Sequence, residues 1–171
     1  GGVDGLNAYL TECDAESAGG VTAGDWTGDG IEDLVVIYDD PTIESPQTSD
    51  LLILTGTDEG YELGHEARAY AEVALLETRD INQDGQTDIV WTETTCGANT
   101  CFDAVNIRSW DGESWANWTE GRINMAYAET SIVDSNETGQ GEEIVISGGV
   151  YGSVGAGPQR SRTETWGSPE G

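Results

Sequence analysis

Apolar residues along the chain fall into short runs set between polar, glycine-rich segments, and nowhere keep a sustained period of 3.6. The runs at 34–38, 51–54, 73–76, 89–93, 104–110, 131–133 and 144–147 have strand length and are bounded by turn residues. Further strands are predicted at 61–65, 115–118 and 162–166, and a turn followed by an alternating strand is predicted over 2–10. The pattern describes an all-β, loop-rich chain.

Three of these runs follow related acidic segments. Asp80-Ile81-Asn82-Gln83-Asp84-Gly85-Gln86-Thr87-Asp88 leads into Ile89-Val90-Trp91, with oxygen side chains at positions 1, 3, 5 and 9 and glycine at 6. Asp25-Trp26-Thr27-Gly28-Asp29-Gly30-Ile31-Glu32-Asp33 leads into Leu34-Val35-Val36-Ile37 in the same way. A weaker copy starts at Asp134, with Asn136, Thr138, Gln140 and either Glu142 or Glu143 in the later positions. Carboxylate and amide oxygens at these spacings can wrap a hard cation while glycine makes the sharp turn. The loop starts lie 55 and 54 residues apart, which signals a structural repeat.

With the loop as a ruler, residues 25–79 form repeat 1, 80–133 repeat 2 and 134–171 a partial repeat 3. Residues 1–24 then read as a blade-completing N-terminal strand, because the third repeat stops short by about that length. Repeats of three or four short strands indicate propeller blades. The expected fold is a β-propeller-like array of about three blades of antiparallel strands. Its last blade would be completed by the N-terminal strand of the same or a neighbouring chain.

The pattern Asp-x-[Thr/Asn]-x-Asp-Gly-x-x-Asp before an apolar strand, at blade-sized intervals, resembles the FG-GAP/VCBS repeats of integrin-type β-propellers. That resemblance implies calcium binding. Carried over by position, the side chains of Asp25, Thr27, Asp29 and Asp33 and the carbonyl of Ile31 would form one ligand set. Asp80, Asn82, Asp84 and Asp88 with the carbonyl of Gln86 would form a second. Asp134, Asn136, Thr138, Gln140 and Glu142 would form a degenerate third, since Thr138 stands where an Asp is expected. Clear Phe-Gly and Gly-Ala-Pro elements are absent, so the likeness is to the cation loops and the blade order.

Composition narrows the functional classes. A formal net charge of −27 repels nucleic acid and anionic membranes, and three divalent ions would offset less than a quarter of it. Most of the acidity therefore serves solubility or reflects a saline or calcium-bearing medium. No run is long enough to span a membrane as a helix. The start at Gly1-Gly2, without initiator Met or signal peptide, reads as a processed or partial product.

Cys96 and Cys101 flank a turn-rich segment and are expected to form a small disulfide, which implies an oxidising, extracellular compartment, secreted or at the cell surface. Cys13 is left to pair between chains or to stay a buried free thiol. Trp110 and Trp166 occupy equivalent repeat positions and are assigned to packing; Trp115 and Trp118 are candidates for a surface role. His65, the one histidine, lacks a nucleophile partner and reads as a surface or satisfied polar residue. Asn117 and Asn136 begin acceptor sequons for N-glycosylation.

The expected function is a non-enzymatic, calcium-stabilised structural or adhesion module. Its expected partners are copies of itself, joined head to tail by strand complementation into an oligomer or filament, or neighbouring blades of a larger propeller. A glycan or protein ligand is admitted, and the alternative is a carbohydrate-binding or carbohydrate-active domain on the same scaffold.

Overall fold

A computed structural model describes residues 2–42, 48–68, 72–81, 83–98, 100–119, 123–134, 137, 143–150 and 160–166. One helix, α1 (Gly2–Glu12), precedes eleven strands: β1 (Glu16–Gly24), β2 (Asp33–Asp39), β3 (Ser49–Thr57), β4 (Gly60–Arg68), β5 (Glu72–Arg79), β6 (Asp88–Cys96), β7 (Cys101–Trp110), β8 (Trp115–Asn117), β9 (Ile123–Val133), β10 (Glu143–Val150) and β11 (Arg160–Trp166). Strands β1 to β4 form one antiparallel sheet in sequence order. The other seven form a second, ordered β11-β10-β9-β7-β6-β5, with β8 paired to β7. The fold is thus all-β with antiparallel sheets, as the apolar pattern predicts, and every expected strand from 34 onward is present.

Alternation along the central strands explains the layering. Val35 and Ile37 of β2, with Leu51 and Ile53 of β3, face the second sheet and meet Val73, Ile89 and Trp91 there. Leu34 and Val36 point the opposite way and are covered by Leu10 and Ala15, with Val3 and Leu6 packed alongside. Val90 and Val105 face away from the first sheet and join Met125, Ile144 and Ile146 in a third cluster. Strands β2 and β6 are therefore buried on both faces, which is why they read as unbroken apolar runs. Each fully buried aliphatic side chain contributes about 1.5–3 kcal/mol relative to exposure.

The N-terminal expectation is corrected on two points. Residues 2–12 form a helix, not a strand, because Val3, Leu6 and Leu10 place one apolar stripe on the first sheet. The strand within 1–24 is β1, and it pairs with β2 of its own chain, from Gly24↔Asp33 to Glu16↔Tyr38 with a register shift between. Within its own chain the N-terminal segment thus begins the first repeat and does not complete the last. Each repeat runs strand, loop, strand, with β1, β5 and β9 as the opening strands. The second and third repeats also share a sheet, joined by β7 and β9 over Phe102↔Ala126 to Val105↔Ile123.

Cys96 and Cys101 are a register pair at the end of the β6–β7 hairpin and form the expected disulfide, with Cα atoms 4.0 Å apart. Cys13 is a free thiol and exposed, which removes the buried alternative. Among the described residues no helix is long and apolar enough to cross a membrane.

Trp115 is also corrected: it is 6% exposed and belongs to the inter-sheet core. Its indole N–H donates to Thr55 Oγ1 at 3.0 Å across the two sheets, and Trp110 packs edge-on against it at 5.6 Å between ring centroids. Gly64 of β4 makes this seat, since a Cβ there would fall on the Trp115 indole and 2.8 Å from Thr55 Oγ1. The side chain of Trp166 lies outside the described residues. Gly64→Ala is expected to lower stability by about 1–3 kcal/mol, the usual cost of overpacking a filled core. Urea unfolding followed by tryptophan fluorescence measures it, and an unchanged midpoint would mean that Trp115 is not seated against Gly64.

Candidate cation loops

Backbone pairing brackets each acidic loop in the same way. The residue before position 1 pairs with the first residue of the following strand: Gly24 with Asp33, Arg79 with Asp88, and Val133 with Glu143. This register puts Glu143, rather than Glu142, where Asp33 and Asp88 stand. Position 4 is left-handed in all three loops, at Gly28 (φ 77°), Gln83 (φ 60°) and Glu137 (φ 55°). Position 6 is left-handed at Gly30 (φ 87°) and Gly85 (φ 90°). Glycine adopts such angles at the least steric cost, and it stands at position 6 of both loops, where φ is largest.

Carboxylates at equivalent positions accept equivalent main-chain hydrogen bonds. Asp25 accepts from Gly28 N and Gly30 N, both at 2.9 Å. Asp80 accepts from Asp84 N at 3.2 Å and Gly85 N at 2.9 Å. Asp29 accepts from Ile31 N, and Asp84 from Gln86 N, both at 2.8 Å. The first and fifth positions thus fold the loop on itself.

The ninth position anchors the loop. Asp33 is 0% exposed; its Oδ2 accepts from Trp26 N at 2.8 Å and Thr27 N at 2.9 Å, and its Oδ1 from Gly56 N of β3 at 2.8 Å. Asp88 repeats this, accepting from Ile81 N at 2.9 Å and from the Ser109 hydroxyl of β7. Burial pushes the Asp88 carboxyl up from the ordinary range, Asp84 and Asp80 add to the rise, and the bonds from Ser109 and Ile81 oppose it. Position 2 supplies an apolar plug in both loops: Trp26 enters the inter-sheet core and Ile81 the cluster on the far face of the second sheet.

The structure therefore gathers Asp25, Thr27, Asp29, Ile31 and Asp33 into one loop, and Asp80, Asp84, Gln86 and Asp88 into another. Asn82 lies outside the described residues, as do Asn136, Thr138, Gln140 and Glu142; Asp134 is described and partly buried. Among the described residues no three His, Cys, Asp or Glu side chains are gathered tightly enough to form a metal centre. One atom nonetheless marks the first loop as incomplete: Thr27 Oγ1 is buried and has no hydrogen-bond partner. An oxygen donor set of Asp and Thr, with one buried oxygen unmatched, fits a hard cation.

Sequence reasoning missed two features beside the loops: Ser109 caps Asp88 and Gly56 caps Asp33. Trp118, expected at the surface, is 40% exposed and lines a cavity of 230 Å³ with Trp110, Asp84, Gln86, Ser109, Asp111 and Gly112. Asp111 is held below the usual carboxylate range by the amides of Ser114 and Glu113. The equivalence of the Asp33 and Asp88 partners appears only once the strands pair, because Gly56 and Ser109 lie 23 and 21 residues away from them in sequence. Asn117 is exposed, but its Oδ1 accepts from both the amide and the hydroxyl of Thr119 at 3.0 Å. His65 is half-buried beside Trp91, and burial, then the charge of Arg108, lowers its pKa to about 4, so it is neutral at pH 7.

No protein-family model, no curated protein and no solved structure matches the chain. Function rests on the geometry of the loops.

The hydrogen bonds rank the loop carboxylates. Asp33→Ala strands three amide donors, two of them buried, and is expected to cost about 3 kcal/mol or more. Asp29→Ala removes one exposed bond and is expected to cost within about 1 kcal/mol. Urea unfolding in excess chelator tests the ranking; equal midpoints for the two variants would contradict the anchoring role of Asp33.

Proposed function

We propose that this chain is a non-catalytic, extracellular structural module, working in adhesion or assembly, whose acidic loops bind calcium. The observation that carries the proposal is the shared loop geometry. Two segments of different sequence converge on the same left-handed positions and the same pairing of Asp carboxylates with main-chain amides. In the first, a buried threonine oxygen lacks a partner. Asp25, Thr27, Asp29 and the Ile31 carbonyl would hold one ion; Asp80, Asn82, Asp84 and the Gln86 carbonyl would hold the second. Asp33 and Asp88 serve both as ligands and as anchors to the neighbouring strand.

When bound, calcium supplies charge neutralisation and fixes the loop between two strands. The strand–loop–strand order of each repeat supports the blade type, and a propeller arrangement of these repeats is part of the proposal. Assembly by strand addition would not use residues 6–10, which form α1. The sheet edges at β1, β4, β5 and β11 remain for it. The disulfide at Cys96 and Cys101 supports an oxidising compartment.

Calcium that binds only the folded chain stabilises it by mass action, by about 2.7 kcal/mol at a hundredfold excess over its dissociation constant. For a chain of this size that corresponds to a rise in melting temperature of roughly 5–10 °C per site, and so roughly 10–20 °C for the two. Calorimetry with calcium and with excess chelator is expected to show this rise. It should shrink by about half in Asp25→Ala and vanish in the double variant Asp25→Ala/Asp80→Ala. A melting temperature indifferent to chelator would refute the calcium reading.

A second reading, glycan recognition, is favoured by the cavity beside the second loop. An exposed indole such as Trp118 offers a stacking face, and Asp84, Gln86 and Asp111 offer acceptors and donors for hydroxyl groups. The strongly acidic surface selects against charged acidic sugars, which leaves neutral ones. A glycan array probed with the calcium-loaded chain is expected to show binding that Trp118→Ala weakens at least about tenfold, the loss of one hot-spot contact. Binding to no neutral glycan would dismiss this reading and leave the calcium proposal untouched.

A further inference from the structure

Two buried donors between the sheets have no acceptor. Asn106 and Arg108 stand two residues apart on β7, so their side chains share a face. Their register partners on β6 are Trp91 and Ile89, both in the inter-sheet core, so that face is the one turned toward the first sheet. Arg108 Nη1 donates to the Trp115 carbonyl at a long 3.4 Å, while Arg108 Nε and Asn106 Nδ2 are buried and make no hydrogen bond.

The missing partner is notable in a chain with 33 acidic residues. The ion pairs among the described residues are Arg68–Glu66 and Arg79–Glu77, and neither involves Arg108. His65, on the face of β4 that is turned toward the second sheet, is neutral and supplies no negative charge. Glu93, on the same face of β6, accepts from the Trp91 indole at 3.2 Å. Arg108 is part-buried, and desolvation lowers its pKa from the ordinary value; a guanidinium whose Nε is buried without an acceptor or counter-charge carries a cost, and the unmatched Asn106 donor adds to it.

We infer that Arg108 Nε and Asn106 Nδ2 hold a small monovalent anion, a halide such as chloride, between the two sheets. Water is the weaker occupant. It could accept from both donors, whose register partners are Ile89 and Trp91, but it would leave the guanidinium charge uncompensated. A halide has no protons to satisfy and cancels the guanidinium charge as well. The cation here is an arginine, so it cannot shed its charge by losing a proton as a lysine could.

The test uses the full chain at fixed calcium and matched ionic strength, in sodium chloride against sodium gluconate, whose anion is too large for a buried site. Chloride is expected to raise the melting temperature saturably, by about 3–6 °C at a roughly tenfold excess over its dissociation constant. Asn106→Asp places a carboxylate beside Arg108 in the anion's stead. That variant should melt in gluconate as high as the wild type does in chloride, and should not respond to chloride. In crystals grown from bromide, an anomalous peak is expected between Arg108 Nε and Asn106 Nδ2. Equal melting in the two salts, a chloride response that survives Asn106→Asp, or a water in place of the bromide peak would each overturn the inference.

Discussion

In the first two repeats a carboxylate at the mouth of the second strand ties the acidic loop to two paired strands. Asp33 begins β2 and takes hydrogen bonds from two amides at the start of its own loop and from one on β3. Asp88 begins β6 and takes one from its loop and one from β7. Each therefore fixes loop, strand and neighbouring strand at once. A buried acidic group cannot be left with empty lone pairs, so the surrounding donors must come to it. Gly56 answers that demand without a side chain, and its own Cβ position would meet the Glu32 main chain, which shows how closely β3 approaches the loop. Ser109 answers the same demand through a hydroxyl.

Everything outward from these knots is set by strand alternation. Since Asp33 fixes the start of β2, Val35 and Ile37 must face one way and Leu34 and Val36 the other. One side is then closed by the second sheet and the other by α1. A register slip of one residue would exchange the two faces, and both are apolar. The anchor at Asp33, more than hydrophobicity, therefore selects the register. The same holds for β6, where Ile89 and Trp91 meet the first sheet while Val90 joins the third cluster.

This division of labour explains what could be read from the sequence. The loops were legible because the turn itself demands glycine or a tolerated left-handed residue at positions 4 and 6, and acceptors at 1, 5 and 9. The strands after them were legible as apolar runs because they are covered on both faces. Strand β1 was not, since Glu16–Gly24 contains three glycines and gets its place from pairing with β2. The helix was hidden because Gly2 and Gly5 suggest a turn, although Val3, Leu6 and Leu10 carry a helical spacing that only the sheet beneath makes decisive. Trp115 was misplaced because repeat position says nothing of burial; its seat is Gly64, distant in sequence and marked by no local pattern. Phase was lost for the same reason as β1: counting from the loop hides the strand that precedes it.

The charge of the chain separates two roles that are easily merged. With 33 acidic side chains against six arginines, few carboxylates can find a basic partner. The two ion pairs among the described residues join exposed neighbours on one strand and contribute at most about 1 kcal/mol each. Main-chain amides do the pairing instead, in both loops and again at Asp111. An amide satisfies the lone pair of a carboxylate and fixes its direction, but leaves its charge in place. In the second loop burial, and then Asp84 and Asp80, still push the Asp88 carboxyl up, although Ser109 and Ile81 donate to it. Geometry in these loops comes from the backbone, and any relief of the charge would come from outside these hydrogen bonds. A loop shaped in this way needs no cation to take its form and would still gain stability from one.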